Sequence, residues 1–233
     1  MMQPLQPGHI LSYVADCSVQ DVRMFWKDAS GALIGGIPAL KSIVEQKNQT
    51  LVFAMNGGMF KPGYAPVGLY VQERKEIAPL DTSSGKGNFY LKPNGVFAIT
   101  AQRRAFVIPT ERFVNFGNVM YATQSGPMLV TDGEIHRKFK VGSSHLHIRN
   151  GVGILPDGRV LFAMSRTPVS LYDFALYFKN AGCRNALYLD GAISRAYLPH
   201  LGWRHIGGKL GVLIGITQSP TPASTTRNDT PRR

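Results

Sequence analysis

The sequence predicts a single α+β domain built on a mixed, mainly antiparallel sheet with a few helices. Its 233 residues are enough for one sizeable core. The 25 glycines and 15 prolines indicate many turns between short elements. Most apolar segments have the length of a strand, and only two segments carry apolar residues at helical spacing.

The two predicted helices occupy 37–47 and 168–182. Pro38 lies near the start of the first, and Pro168 and Gly182 bound the second, in agreement with the preference for proline at helix starts and glycine after helix ends. Strands are predicted at 10–16, 22–26, 51–55, 96–100, 104–108 and 186–189, and in the runs GLYVQE, VMYAT, PMLV, NGVGILPDGRVLFAM and LGVLIGITQ. The domain is predicted to span 10–217, between an N-terminal extension (1–9) and a disordered basic tail (218–233).

Several function classes find little support in the composition. No apolar run approaches the roughly 18 residues that a transmembrane helix requires. The amino end lacks the basic and apolar regions of a signal peptide, so either the protein is cytosolic or the chain begins after a signal that was removed or missed. Cys17 and Cys183 are compatible with one long-range disulfide or with two buried thiols, and their spacing is not that of a metal site.

The chain is basic, with 26 Lys and Arg against 14 Asp and Glu and a formal charge of +12. This excess predicts an anionic partner such as a phosphate or an acidic glycan. Nucleic acid is not the predicted partner, because the basic residues neither alternate with aromatic residues nor fall on one helix face. The clustered basic residues are Arg103 and Arg104, and Arg137, Lys138 and Lys140; Arg227, Arg232 and Arg233 lie in the tail.

Three apolar strands end in the same way, with a small polar residue followed by glycine. Glycine lets a ligand approach the backbone closely, and strand ends that converge on one rim form a typical small-molecule pocket. Each motif alone is also compatible with an ordinary turn, but the three together favour a site. The motifs are Asn56-Gly57-Gly58, Gln124-Ser125-Gly126 and Asp190-Gly191.

Asp190 is the strongest candidate among the acidic residues. Four apolar residues precede it and glycine follows, so its carboxylate is expected to be partly desolvated, which is costly unless the group is paired or used. Asp173 lies in the second predicted helix, where a solvent-facing position or an interaction near the helix start is favoured. Glu111 and Glu134 remain candidates for a second carboxylate.

Arg149 is the candidate for binding an anionic group. It heads the strand RNGVGI, and His147 lies on the same side of an extended chain. An arginine in this position grips a phosphate through two N–H groups, although a surface salt bridge is an equal alternative. His145 and His147 have no evident third ligand, so no metal and no cofactor is predicted. GxSxG, P-loop and HExxH patterns are absent.

Four segments in this order resemble the phosphodiester glycosidase domain family: MNGGMF (55–60), QSGPMLV (124–130), RNGVGI (149–154) and ALYLDGAIS (186–194). The resemblance covers about 10–216, and RMFWKD, PVGLYV and NFYLKPNGVF are similar to a bacterial branch of poorly characterised members. It implies that the site is lined by Asn56, Gly57, Gly58, Ser125, Gly126, Arg149, Asp190, Gly191 and Ser194. It also implies a periplasmic or secreted location.

One departure limits what the resemblance implies. The family usually has two or three glycines after the aspartate, whereas Ala192 and Ile193 follow Gly191 in this chain. The loop is therefore expected to be less open, and the sugar specificity of the lysosomal uncovering enzyme, a member of that family, does not carry over.

The resemblance implies a hydrolase that cleaves a glycosidic bond in a sugar phosphodiester or a related anionic glycoconjugate, so the expected partner is a small-molecule or glycan substrate that carries phosphate. We expect Asp190 to act as acid/base or nucleophile, Arg149 to neutralise the phosphate, and Asn56, Ser125 and His147 to contact the substrate. The alternative is a non-catalytic envelope module that binds an anionic glycan or peptidoglycan through the same pocket. A nucleic-acid binder, the third interpretation, predicts a steep salt dependence of binding.

Overall fold

The computed structural model describes residues 8–115 and 117–219, which form sixteen strands in three sheets together with two α-helices. The predicted mainly antiparallel α+β fold is confirmed, and every pairing between the strands of the described residues is antiparallel. Most of the two predicted terminal segments, 1–9 and 218–233, lies outside the described residues.

Each of the three sheets combines strands that are distant in sequence. In spatial order, the first sheet contains β1 (Ile10–Ala15), β12 (Val160–Ser165), β11 (Asn150–Ile154), β13 (Asn185–Tyr188), β9 (Met128–Thr131) and β10 (Glu134–Ile135). The second contains β15 (Trp203–His205), β14 (Ala196–Leu198), β3 (Thr50–Asn56), β16 (Leu213–Gln218) and β2 (Asp21–Phe25). The third contains β5 (Lys75–Ala78), β4 (Tyr70–Gln72), β8 (Val119–Ser125), β6 (Gly95–Thr100) and β7 (Ala105–Pro109).

All three sheets contribute to one central core. The ring of Phe162 in the first sheet lies 5.1 Å from that of Phe53 in the second and 5.8 Å from that of Phe97 in the third, centroid to centroid. These rings belong to one cluster of buried apolar side chains. Strands of all three sheets therefore pack against one another around a shared core.

The two helices cover the outer faces of two sheets. Helix α1 (Ile37–Gln46) packs Leu40 and Val44 into a cluster with residues of the second sheet. Helix α2 (Leu171–Asn180) packs Phe174 and Phe178 into a cluster with residues of the first sheet. The predicted first helix is confirmed almost to the residue. The second begins later than predicted, because the Ser170 hydroxyl accepts a hydrogen bond from the Asp173 N–H and so caps the helix.

Cys17 and Cys183 are both buried free thiols. They lie in different clusters, Cys17 in the central core and Cys183 beneath α2, so of the two alternatives the structure shows unpaired thiols. Within the described ranges, no helix has the length and apolar character needed to cross a membrane.

Candidate active site

The three strand ends that carry the small polar residues meet, although each belongs to a different sheet. Asn56 is the last residue of β3, Ser125 is the last residue of β8, and Asp190 follows β13. The Asn56 amide donates to the Asp190 carbonyl oxygen at 2.7 Å, and the Asp190 N–H donates to the Gly57 carbonyl at 3.1 Å. Gly58 completes the junction, since a Cβ there would lie 2.2 Å from Oγ1 of Thr123.

Asp190 is a buried acid that pairs with no cation among the described residues. The residue is 7% exposed, and it is the only buried carboxylate in the described part of the chain. Burial raises the pKa of Asp190 to about 6, while a hydrogen bond from the Ala192 N–H to Oδ1, 3.1 Å long, opposes the shift. A pKa near neutrality is the property expected of a carboxyl group that exchanges protons during a reaction.

Arg149 directly precedes β11, which pairs with β13, the strand that leads to Asp190. Gly151 pairs with Tyr188, and the Leu189 N–H donates to the Asn150 carbonyl at 3.1 Å. Continued by one further position, this antiparallel register would bring the main chain of Arg149 opposite that of Asp190. The two charged groups do not form an ion pair, however: within residues 8–115 and 117–219 no salt bridge involves Arg149.

The Arg149 guanidinium is held by neutral oxygen atoms. Its Nε donates to the Val169 carbonyl at 2.7 Å, Nη2 to the His145 carbonyl at 2.9 Å, and Nη1 to the Tyr188 hydroxyl at 3.1 Å. Three of its five N–H groups are therefore used, and one on each terminal nitrogen is left for another acceptor. Since Arg149 is only 3% exposed and has no carboxylate partner among the described residues, the alternative of a surface salt bridge is wrong.

Tyr188 lies between Arg149 and the loop that carries Asp190. It is 2% exposed, and a Cβ on Gly191 would lie 1.6 Å from its hydroxyl oxygen. Burial raises the pKa of Tyr188, an effect that Arg149 opposes and the negative charge of Asp190 reinforces. Tyr188 and Asp190 are two residues apart in an extended segment and so project to the same side.

The side chains of Asn56 and Ser194 hold the main chain around Asp190. Besides donating to Asp190, Asn56 accepts a hydrogen bond from the Arg195 N–H at 2.8 Å. The Ser194 hydroxyl lies 3.2 Å from the Ile148 carbonyl and 3.3 Å from Oδ1 of Asn150, whose own amide donates to the Asn56 carbonyl at 3.0 Å. These buried polar groups bind protein atoms, so they position the loop from Asp190 to Arg195.

A cleft of about 490 Å³ opens beside Arg149. It lies between the connection that follows β10, the turn Asn88–Tyr90 and the first turn of α2. Its lining contains three cations and two histidines and, in the described part of the chain, no acid. The lining residues are Asn88, Leu91, Lys138, Phe139, Lys140, Ser143, His145, His147, Arg149, Leu171 and Tyr172.

Only some of the residues proposed from the sequence line the cleft. His147 and Arg149 line the cleft, whereas Asp190 is not among its lining residues. Ser125 is fully buried, and its hydroxyl finds no hydrogen-bond partner among the described residues. Gly126 packs against the carbonyl oxygens of Asn88 and Phe89, and so forms the support of one cleft wall.

The other acidic candidates do not reach the site. Asp173 bonds Ser170 at the start of α2, which is the interaction favoured from the sequence. Glu111 is exposed, and the exposed Glu134 pairs with Lys179. Across the described residues, no group of three or more His, Cys, Asp or Glu side chains could hold a metal ion.

Sequence reasoning missed Tyr188 and Asn150. Tyr188 belongs to a run whose pattern indicates only an apolar strand, yet a buried tyrosine hydroxyl needs a partner, and Arg149 is the available donor. Asn150 opens a buried strand, where its amide has to find acceptors within the fold.

Comparison with known proteins decides the family. The sequence profile described as Phosphodiester glycosidase matches residues 49–213, which is more than two thirds of the chain. The chain belongs to the phosphodiester glycosidase family. The uncharacterized protein YigE of Escherichia coli K12 is 34% identical to this family member over 190 residues, which cover 81% of this chain and 74% of YigE.

Solved structures of three proteins share the fold of this phosphodiester glycosidase family member. The catalytic domain of zebrafish N-acetylglucosamine-1-phosphodiester alpha-N-acetylglucosaminidase, auto-inhibited by its pro-peptide, has a TM-score of 0.55 at 16% identity, with 89% and 88% of the two chains covered. A hypothetical protein from Synechocystis has a TM-score of 0.58 at 12% identity, with 89% of this chain and 59% of that chain covered. A putative exported protein from Burkholderia pseudomallei has a TM-score of 0.55 at 11% identity, with 91% and 74% covered.

Proposed function

We propose that the protein hydrolyses the glycosidic bond of a sugar phosphodiester, with Asp190 as the catalytic carboxylate and Arg149 as the phosphate-binding residue. The observation that carries the proposal is the pair formed by a buried acid, with a pKa of about 6, and a buried guanidinium joined to its loop through Tyr188. Family membership supports the reaction class.

In the proposed reaction, water attacks the anomeric carbon and the bond between that carbon and the phosphate oxygen breaks. The phosphate monoester leaves with the bonding electrons, and one proton of the water passes to Asp190 and then to solvent. The products are a free sugar, a phosphate monoester and a proton. A phosphate monoester is already a good leaving group, so a second carboxylate that would protonate it matters less than in ordinary glycoside hydrolysis. Arg149 favours the departure because its two remaining N–H groups offer donors to the charge that develops on the phosphate.

The test is incubation of the purified protein with a panel of glycosyl phosphodiesters in water enriched in oxygen-18. We expect free reducing sugar that carries the heavy isotope, and unlabelled phosphate monoester. Isotope in the phosphate would instead mean attack at phosphorus and would overturn the proposed bond cleavage.

Asp190→Asn should abolish turnover, and Asp157→Asn is the matched control because Asp157 lies in an exposed turn. If the protein binds these compounds without releasing sugar, and Asp190→Asn changes only their affinity, the protein is instead a glycan-binding module. A periplasmic or secreted location remains a prediction from the family.

A further inference from the structure

The charge of the cleft exceeds what one phosphodiester requires. A phosphodiester carries a single negative charge, and the proposed role of Arg149 already provides a cation for it. Lys138 and Lys140 also line the cleft, and neither takes part in a salt bridge in the described part of the chain. Two cations therefore remain after the scissile phosphate is neutralised.

One of the three cations is buried and the other two are exposed. Arg149 lies at the buried end, where its contacts to Val169, His145 and Tyr188 fix the guanidinium. Lys138 and Lys140 are exposed and line the same cleft from the connection that follows β10. Long, mobile lysine side chains suit an anionic group whose position varies, whereas a fixed guanidinium suits a group held in one geometry.

The remaining lining strengthens the preference for anions. Leu171 and Tyr172 are the first residues of α2, so the cleft also faces the partial positive charge of a helix N-terminus. The acid of that turn, Asp173, accepts a hydrogen bond from the Ser170 hydroxyl and is not a lining residue. The volume of about 490 Å³ lies in the range of small-molecule pockets and is larger than one phosphate needs.

We propose that the leaving group of the substrate carries at least one phosphate beyond the scissile phosphodiester, and that Lys138 and Lys140 bind this second phosphate. The proposal rests on the proposed function for the position of the sugar and the scissile bond. The second phosphate belongs either to a diphosphate or to a separate phosphate ester on the leaving group. Both forms add negative charge that a simple glycosyl phosphodiester lacks.

The binding test uses calorimetry of the full chain with inorganic phosphate and pyrophosphate. The salt concentration is about 0.15 M, at which the Debye length is about 8 Å. We expect wild-type protein to bind pyrophosphate on the order of tenfold more tightly than phosphate, as expected for added charge-assisted contacts. Lys138→Gln with Lys140→Gln should reduce the ratio to about threefold or less, because the outer cations are lost. The double variant Lys47→Gln with Lys75→Gln removes the same charge from exposed positions outside the cleft and should keep the wild-type ratio.

Equal affinity for the two anions, or an unchanged ratio in the Lys138 and Lys140 variant, would overturn the second phosphate site. Hydrolysis is measured separately with two substrates that share one sugar, a glyceryl phosphodiester and its analogue with a phosphate on the glycerol. The phosphorylated analogue should have the lower KM, and the cleft variant should remove that advantage in KM, whereas the variant at Lys47 and Lys75 should keep it. If neither substrate is cleaved while the binding ratios behave as expected, the proposed hydrolysis fails and the anion site stands.

Discussion

The hydroxyl of Tyr188 lies 3.1 Å from Nη1 of Arg149 and occupies the space that a side chain on Gly191 would need. One phenol thus touches the guanidinium on one side and the loop of Asp190 on the other. Because the tyrosine and the arginine are both buried, a change in the loop is expected to reach the guanidinium through the tyrosine ring.

Tyr188→Phe tests this coupling directly. Loss of the hydroxyl leaves a buried N–H of Arg149 without its acceptor, so we expect the free energy of unfolding to fall by about 1–3 kcal/mol. With a less well-positioned guanidinium, kcat/KM for a sugar phosphodiester should fall on the order of tenfold, which corresponds to about 1.4 kcal/mol. Urea unfolding and initial rates measure the two effects. Tyr177→Phe is the control, since its hydroxyl makes no hydrogen bond to any described residue; identical behaviour of the two variants would argue against the coupling.

Gly191→Ala should displace the tyrosine ring. The new methyl would lie 1.6 Å from the Tyr188 hydroxyl oxygen and 2.3 Å from Cζ, and the buried ring has little room to move. Overpacking of this kind typically costs about 1–3 kcal/mol, and activity should fall with stability. Gly207→Ala is the matched control, because a Cβ at that glycine meets nothing within 4 Å. Equal melting temperatures for the two variants would show that the ring moves aside freely.

Asp190→Asn should make the protein more stable at neutral pH. The carboxyl has a pKa of about 6 when folded against its ordinary value of 3.8, so between these values the native state binds more protons than the unfolded state. Wild-type stability therefore falls as pH rises through this window, by about 2 kcal/mol between pH 4.5 and 7.5. The amide has no such titration. Urea unfolding at both pH values gives the free energy of unfolding of the variant relative to that of the wild type. This difference should shift in favour of the variant between pH 4.5 and 7.5, and an unchanged difference would contradict the raised pKa.

The rate of hydrolysis should rise with pH, because Asp190 is proposed to act in its carboxylate form. With a pKa of about 6, kcat/KM at pH 5 should be about tenfold below its plateau near pH 7.5. His145 and His147 also line the cleft, so the profile is repeated with both changed to glutamine. The double variant should retain the rising limb. A falling limb with an apparent pKa near 6 would assign Asp190 the role of general acid.

Both thiols should be unreactive in the folded protein. Burial raises the pKa of Cys17 to about 11 and that of Cys183 to about 12, so little thiolate exists at neutral pH and access is restricted. A chromogenic disulfide reagent should modify neither residue natively and both after unfolding in guanidinium without reductant. Detection of no free thiol after unfolding would mean that the two cysteines are paired.

Sequence patterns locate both helices, most of the strands and the burial of Asp190, but not the short strands β5, β10, β14 and β15. Apolar runs that stop at a polar residue locate β3, β8 and β13, and their glycines mark a junction at which Asn56, Gly58 and Asp190 do meet. Each of these patterns depends on a few neighbouring residues, so it can be interpreted without knowing which strands pair.

The relations between sheets cannot be predicted in the same way. The Asn56 side chain is expected from the sequence to contact substrate, but its partners are the backbone groups of Asp190 and Arg195, at sequence separations of 134 and 139 residues. Likewise, the sequence marks Lys138 and Lys140 only as a basic cluster, because their position beside Arg149 depends on the path of the loop after β10. Long-range packing decides such contacts, and local propensity carries no information about it.

The Asn56 side chain holds the loop from Asp190 to Arg195 through two hydrogen bonds, and this bears on how the protein could be redesigned. These contacts come from β3, whereas Lys138 and Lys140 lie on the connection between β10 and β11, and the Asn56 side chain shares no hydrogen bond with that connection within the described residues. Asp190 and the two lysines are thus held by different parts of the scaffold. Grafting a new segment in place of residues 137–142, which keeps His145, Ile148 and Arg149, should therefore exchange the preferred leaving group while the acid keeps its place.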